Sequence, residues 1–195
     1  PNPDQADTDS DGLGDVCDFD DELMETMLEE RPVSEEAVRR ALRKATLAGT
    51  IFPLLCGSSF KNRGIQQVLD AIVDYLPSPR DRGAVTGTDP ETGKAVVREP
   101  EPDAPFSAIV FKLASDTHVG RLAYARVYSG TAKEREGLLN PRTGKRERTM
   151  RIFHVQSTKR TQVPAMAAGE IVAVVGLRES KTGDTICSPK APVAY

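Results

Sequence analysis

Six residues near the start of the chain have the types and spacing of a calcium-binding loop. Asp7, Asp9, Asp11, Gly12, Asp15 and Asp18 occupy positions 1, 3, 5, 6, 9 and 12 of the loop pattern. Carboxylate oxygens are hard ligands for Ca²⁺, and the glycine permits the sharp turn. Position 12 is Asp rather than the bidentate Glu, so we expect at most weak binding. A disordered acidic tail is the alternative interpretation of these residues.

A second candidate site is the glycine-bearing loop CGSSFKNRG at residues 56–64. The preceding segment, IFPLL at 51–55, predicts a short buried strand, although Pro53 weakens that prediction. The following residues predict a helix, since apolar side chains recur at helical spacing from Ile65 to Leu76. Ligands of α/β folds bind at loops that follow strands. A plain Ser/Gly helix cap is the alternative interpretation.

A third candidate is a run of basic residues in the second half of the chain. Its seven members are Arg142, Lys145, Arg146, Arg148, Arg151, Lys159 and Arg160, and only Glu147 opposes them. We single out the first four as contacts for nucleic-acid phosphates. Few aromatic residues interleave with this run, so it predicts phosphate contacts without base stacking. A solvated basic surface is the alternative.

The sequence offers no catalytic group of its own. It contains no GxxxxGK[ST] phosphate loop, no NKxD and no suitably placed DxxG, so we expect no GTP hydrolysis by this chain alone. No Ser/His/Asp or Cys/His arrangement replaces them, and His118 and His154 are interpreted as structural.

Composition and charge set the broad class. The 195 residues are 28% charged and 38% hydrophobic, which is ordinary for a soluble protein, and no apolar run suggests a membrane helix. Residues 1–103 carry 11 basic and 22 acidic side chains, whereas residues 104–195 carry 15 and 7. Three dispersed cysteines favour a reducing compartment. The chain begins with Pro1, so we expect a fragment.

The local patterns predict helices before strands. Residues 20–30 predict a short helix, and Ser34 is the expected N-cap of a second helix ending near Gly49. Residues 77–105 are rich in proline and glycine, which predicts a connection in which DPETGK at 89–94 closes a small hairpin.

The clearest strand signal lies at residues 106–130, FSAIVFKLASDTHVGRLAYARVYSG. Two apolar segments flank a glycine-containing turn, which predicts a hairpin. The small residues that alternate from Ala123 to Ser129 fit the inside of a small barrel. Residues 131–140 continue the barrel away from this hairpin. Further strands are predicted at 148–156 and 170–177, with a last one after Gly183.

Three stretches carry resemblances to known families. FKLASDTHVGRLAYARVYSGT and AGEIVAVVGLRESKTGDTIC resemble strands of the second domain of bacterial elongation factor G. The loop at 56–64 resembles the last guanine-recognition motif of translational GTPases, which implies that backbone amides of Ser58, Ser59 and Phe60 read the guanine carbonyl. Ser59 departs from the usual Ala. NPDQADTDSDGLGDVCD, at residues 2–18, is similar to a type 3 thrombospondin repeat, whose cysteine pairs with a neighbouring repeat.

The resemblance implies an α/β fragment, the end of a P-loop GTPase domain, followed by an antiparallel β-barrel. Its expected divisions are an acidic tail at 1–18, the GTPase portion at 19–80, a linker at 81–103 and the barrel at 104–195. The expected role is that of a cytoplasmic ribosomal translocase fragment that contacts the ribosome and small-subunit RNA. GTP and magnesium would bind the full-length family member, with calcium at 7–18, and neither a membrane nor DNA is an expected partner. The alternatives are a release factor or ribosomal protection protein of the same kind, or an extracellular calcium module fused to an interaction barrel.

Overall fold

The computed structural model describes residues 20–116 and 119–195. The acidic loop at 7–18, with its five candidate carboxylates, lies outside the described residues. The chain divides into two compact units, of which the first ends at Pro77 and the second spans Ser78–Tyr195.

The first unit contains three helices, α1 Asp21–Leu28, α2 Glu35–Ala48 and α3 Ile65–Tyr75. Both predicted ends of α2 are confirmed. The Ser34 hydroxyl accepts a hydrogen bond from the Ala37 amide at 3.2 Å, and Gly49 ends the helix in the left-handed conformation at φ 76°. None of the described helices is long and apolar enough to span a membrane.

The predicted strand at 51–55 is wrong. These residues form no strand, and the side chains of Phe52 and Leu54 are 85% and 92% exposed. A strand needs a neighbour for its backbone donors and acceptors, and the described part of the first unit provides none. Pro53 also lacks an amide donor. The loop at 56–64 therefore follows an irregular segment rather than a strand.

The second unit begins within the predicted connection. After α4, Pro79–Arg82, come β1 Val85–Thr88 and β2 Ala95–Arg98, an antiparallel pair. The Asp89 carboxylate accepts hydrogen bonds from two amides in the turn between these strands, which confirms the predicted small hairpin. Thr88 exchanges two backbone hydrogen bonds with Ala194, at 2.7 and 2.8 Å. The hairpin is thus bonded to the last residues of the second unit.

The rest of the second unit is antiparallel sheet. Its strands are β3 Ser107–Asp116, β4 Gly120–Ser129, β5 Thr131–Lys133, β6 Gly137–Asn140, β7 Lys145–Arg148, β8 Arg151–Gln156, β9 Lys159–Val163, β10 Ala165–Ala167, β11 Ile171–Val175 and β12 Thr185–Cys187. Eight of them form one sheet in the order β7-β6-β12-β3-β4-β11-β8-β9, while β5 pairs with β10.

The predicted hairpin at 106–130 forms the centre of this sheet as β3 and β4. Ala123, Ala125 and Val127 are buried in the main apolar core, together with side chains from most of the other strands. Small side chains on this face of β4 leave room for larger ones such as Leu138 and Ile186 across the barrel interior. The interior alternation predicted for β4 is therefore confirmed.

The strand predicted at 148–156 is confirmed as β8, but it begins three residues later than predicted, and the preceding strand β7 was not predicted. β7 ends at Arg148 and β8 begins at Arg151, so the chain bends at Thr149 and Met150. Gly176 lies against this bend with φ 117°, and a Cβ on it would stand 2.2 Å from the Arg148 carbonyl oxygen. Only glycine permits so close an approach at this φ.

Candidate nucleic-acid interface

Three of the four candidate phosphate contacts, Lys145, Arg146 and Arg148, lie on β7, an edge strand of the eight-stranded sheet. Alternate side chains of a strand point to opposite faces. Arg146 and Arg148 are exposed, whereas Glu147 between them is buried. The two arginines therefore share the outward face of β7.

The sequence suggested that the charge of Glu147 partly offsets the charge of these arginines. In the structure its side chain does not lie on their face of β7. Its carboxylate lies beneath the strand, where it accepts hydrogen bonds from the Ser180 hydroxyl and, at 2.8 Å, from the Glu179 amide. The carboxylate of the one acidic residue in the basic run is thereby buried and hydrogen-bonded. The outward face of β7 is more positive than the sequence implies.

Arg142 is held by an internal ion pair. Its Nε and one terminal nitrogen donate to the two carboxylate oxygens of Asp184 at 2.6 and 2.8 Å. The Arg142 guanidinium lowers the pKa of buried Asp184 to about 2, with further help from the Asn140 amide and the Lys181 backbone. Arg142 thus fixes the turn between β6 and β7, and its guanidinium is already engaged.

The remaining candidates converge on one shallow depression. Four basic residues, Lys145, Arg146, Arg148 and Arg178, line it together with Glu147 and Glu179, and its volume is about 330 Å³. Lys145 lies 3.5 Å from the Glu179 carboxylate, and Arg148 Nε donates to the Arg135 carbonyl at 2.8 Å. Arg178, which follows β11, was missed because it stands far from the basic run in the sequence. Its position beside Gly176 brings it to β7.

The other basic residues of the run lie toward the opposite edge of the sheet. Arg151 belongs to β8, and Lys159 and Arg160 belong to the edge strand β9. Arg160 pairs with Asp116, while the Arg151 guanidinium lies 5.8 Å from the centre of the Phe153 ring. The run is therefore not one patch. Basic side chains on edge strands also discourage edge-to-edge association.

The loop at 56–64 is a tight closed turn in the first unit. The Ser58 amide donates to the Arg63 carbonyl at 2.9 Å, and the Arg63 amide donates to the Ser58 carbonyl at 3.0 Å. Gly64 has φ 77°, and a Cβ on it would lie 2.9 Å from the Cys56 carbonyl oxygen. Phe60 is 98% exposed at the tip. Of the three amides assigned to guanine, that of Ser58 is therefore already bonded within the loop.

The described residues contain no group of three or more His, Cys, Asp or Glu side chains arranged for a metal ion. Calcium binding by Asp7, Asp9, Asp11, Asp15 and Asp18 stays a prediction, because those residues lie outside the described part. Calorimetric titration should show a heat that disappears in the Asp9→Ala/Asp11→Ala variant.

Two comparisons with known proteins bear on the fold of the chain. Residues 105–189 match the family described as elongation factor G domain 2. A crystal structure of a protein from Thermus thermophilus matches with a TM-score of 0.65 at 26% identity, covering 91% of this chain and 24% of that chain. The chain thus spans about a quarter of the length of that protein. The expected antiparallel barrel is confirmed, and its residues 105–189 are similar to a translation-factor second domain.

Proposed function

We propose that this chain is part of a ribosomal translocase of the elongation factor G kind, and that its barrel contacts small-subunit RNA. The observation that carries the proposal is the match of residues 105–189 to the second domain of that factor. The outward arginines of β7 supply a site of the right charge for phosphate.

The contact is expected to be electrostatic and independent of base sequence. Arg146 and Arg148 point outward on an edge strand beside Lys145 and Arg178. Arginine donates to phosphate oxygens in a planar fork, which suits a phosphate at the mouth of such a depression. Each phosphate neutralised releases condensed counterions, so affinity falls as salt rises.

Arg142 is not among the residues proposed to contact RNA. Because it is bound to Asp184, it positions the β6–β7 turn rather than contacting RNA. The RNA-contacting set is therefore narrowed to Lys145, Arg146 and Arg148, with Arg178 added from the structure.

The test is binding of the whole chain to purified small ribosomal subunits across a salt series. Arg146→Ala and Arg148→Ala should each lower the log–log salt slope by about one unit and weaken binding several-fold. Lys190→Ala, which removes an exposed charge outside the β6–β7 hairpin, is the matched control and should change neither quantity.

Unchanged affinity and slope in both arginine variants, with their melting temperatures preserved, would remove β7 from the interface. Failure of the unaltered chain to bind the subunits at low salt would contradict the proposed ribosome contact itself.

In the full-length translocase, the loop at 56–64 is proposed to contact guanine through backbone amides of Ser59 and Phe60. Ser59→Pro removes one of these donors, whereas Ser59→Ala keeps it. Losing one such hydrogen bond should weaken guanine-nucleotide binding about tenfold, and Ser59→Ala should bind like the unaltered protein. Equal affinities for the two variants would rule out the Ser59 amide as a contact.

A further inference from the structure

A β-bulge places two neighbouring side chains of β3 on the outside of the barrel. In the β3–β4 register Val110 opposes Ala125 and Lys112 opposes Tyr124, so Phe111 is the extra residue. Val110 is buried in the core, whereas Phe111 is 43% exposed and Lys112 is also exposed. A bulge redirects side chains in this way, and here it adds an aromatic ring to an outer surface.

Three pairs of a cation and an aromatic ring lie on the strands that form this side of the barrel. Lys112 stands 5.6 Å from the centre of the Tyr124 ring, Arg126 stands 5.6 Å from that of Tyr128, and Arg151 stands 5.8 Å from that of Phe153. Tyr124 opposes Ala173 of β11, which in turn opposes Phe153 of β8. Phe153 itself is buried in an apolar cluster with Leu122 and Ala173, against which Tyr124 packs. We call the surface made by Phe111, Lys112, Tyr124, Arg126, Tyr128 and Arg151, together with buried Phe153, the outer face.

The outer face is positive because its strands contain almost no acid. β4, β8 and β11 include neither Asp nor Glu, and the single acid of β3, Asp116, is paired with Arg160. Aromatic rings beside unopposed cations favour a partner that offers both flat rings and negative charge.

A cavity continues the outer face at the end of β4. Its volume is about 510 Å³, and its lining includes Arg82, Val85, Pro100, Arg126 and Tyr128. All of these residues belong to the second unit. Two arginines and a tyrosine, Arg82, Arg126 and Tyr128, therefore line a space large enough for a nucleobase.

We propose that the outer face binds a short stretch of single-stranded RNA. Unpaired bases stack on Phe111, Tyr124 and Tyr128, and the phosphates lie near Lys112, Arg126 and Arg82. Duplex RNA hides its bases, whereas single strands present them to aromatic side chains on a sheet. Tyr124 and Tyr128 are separated by about 13 Å along the strand, at roughly 3.3 Å per residue, which is room for about two to four nucleotides. This surface is separate from the β7 edge, whose proposed contacts are to phosphate alone.

The test is fluorescence anisotropy of the whole chain with a labelled, unstructured RNA of about ten nucleotides, a length within the range such sites occupy. The single strand should bind at least about tenfold more tightly than a duplex of the same sequence. Tyr124→Leu and Phe111→Leu keep apolar bulk but remove the rings, and each should weaken binding about five- to 100-fold. Tyr124→Phe keeps the ring and should bind almost normally.

Further variants separate this proposal from the ribosome contact. Arg146→Ala should not alter single-strand affinity, although it should alter subunit binding. Phe60→Leu removes an even more exposed ring in the first unit and should have no effect. Arg126→Ala should lower the salt slope by about 0.7.

Equal affinity for single strand and duplex would overturn the proposal. So would unchanged affinity in Phe111→Leu, an exposed position whose replacement leaves the core intact. In that case the outer face would be a surface for a protein partner, and the proposal for β7 would be unaffected.

Discussion

The barrel and the first unit bury their apolar side chains to very different extents. In the barrel, fourteen buried side chains form one continuous core. Among the described residues of the first unit, only Leu23, Ala41 and Ala45 are buried apolar side chains. Helix α3 has apolar residues at ideal helical spacing, yet none of its residues is buried.

This difference shows that an amphipathic sequence pattern does not by itself mean that the apolar side chains are buried in a core. The barrel is stabilised by long-range packing, which is non-local and specific to its strand register. The described helices of the first unit depend more on individual polar contacts. Examples are the Ser34 cap and the ion pair, at 2.6 Å, between Arg40 of α2 and buried Asp20 at the start of α1. The hydrogen bond from Arg40 holds the pKa of Asp20 well below its usual value.

The largest expected contrast comes from truncating one leucine in each unit. Leu138→Ala empties a fully buried site of the barrel and should lower its free energy of unfolding by about 2–5 kcal/mol. Leu69→Ala in α3 alters a side chain that is 58% exposed and should cost less than about 0.5 kcal/mol. Hydrogen exchange resolved by peptide reports each unit separately. Similar losses for both variants would show that α3 is packed in solution.

A glycine in each unit provides the next contrast. Gly176→Ala places a Cβ 2.2 Å from the Arg148 carbonyl oxygen at φ 117°, so the barrel should lose about 3 kcal/mol or more. Gly49→Ala also has positive φ but meets no atom within 4 Å, and should cost only about 1–2 kcal/mol. Urea denaturation measures the Gly176 loss. A mild effect there would mean that the bend between β7 and β8 moves easily away from Gly176.

Acid should weaken the barrel through Asp184. Its pKa is depressed from 3.8 to about 2 in the folded state by Arg142. The stabilisation of roughly 2 kcal/mol is therefore complete above pH 4 and disappears as the pH falls toward 2. Unfolding free energies between these pH values should decline in the unaltered chain. Asp184→Asn should already be weaker at neutral pH and should decline less, and parallel slopes would exclude Asp184 as the source.

The smallest effect is expected at the cap of α2. Ser34→Ala removes the hydroxyl that accepts from the Ala37 amide and should cost about 1 kcal/mol. Amide exchange should quicken in the first turn of α2 and stay unchanged in the barrel. Ser34→Asp restores a capping oxygen and should return the exchange rates to those of the unaltered chain.

The ends of α2 and the β3–β4 hairpin could be predicted from short stretches of sequence. The ends of α2 follow from Ser34 and Gly49, and the β3–β4 hairpin follows from its alternation and turn, because each depends on neighbours in the chain. Whether residues 51–55 form a strand could not be predicted in the same way, and the structure shows that they do not. Their apolar side chains match a strand, but pairing depends on a neighbour that local sequence does not reveal.

The candidate site shows the same limit. Composition alone identified a basic run at 142–160. It did not reveal that Asp184 binds Arg142 or that the Glu147 carboxylate is buried. Nor did it reveal that Arg178 lies beside β7. The aromatic residues of the outer face also stand apart in the sequence, on β3, β4 and β8.

By itself, the sequence determined the caps, turns, alternation and net charge, because these properties depend on residue type and near neighbours. Only the tertiary structure decided which charges are neutralised and which remain exposed, and which rings share a surface. Those outcomes depend on strand register and burial, through which Lys112, Tyr124 and Phe153 come together from three different strands.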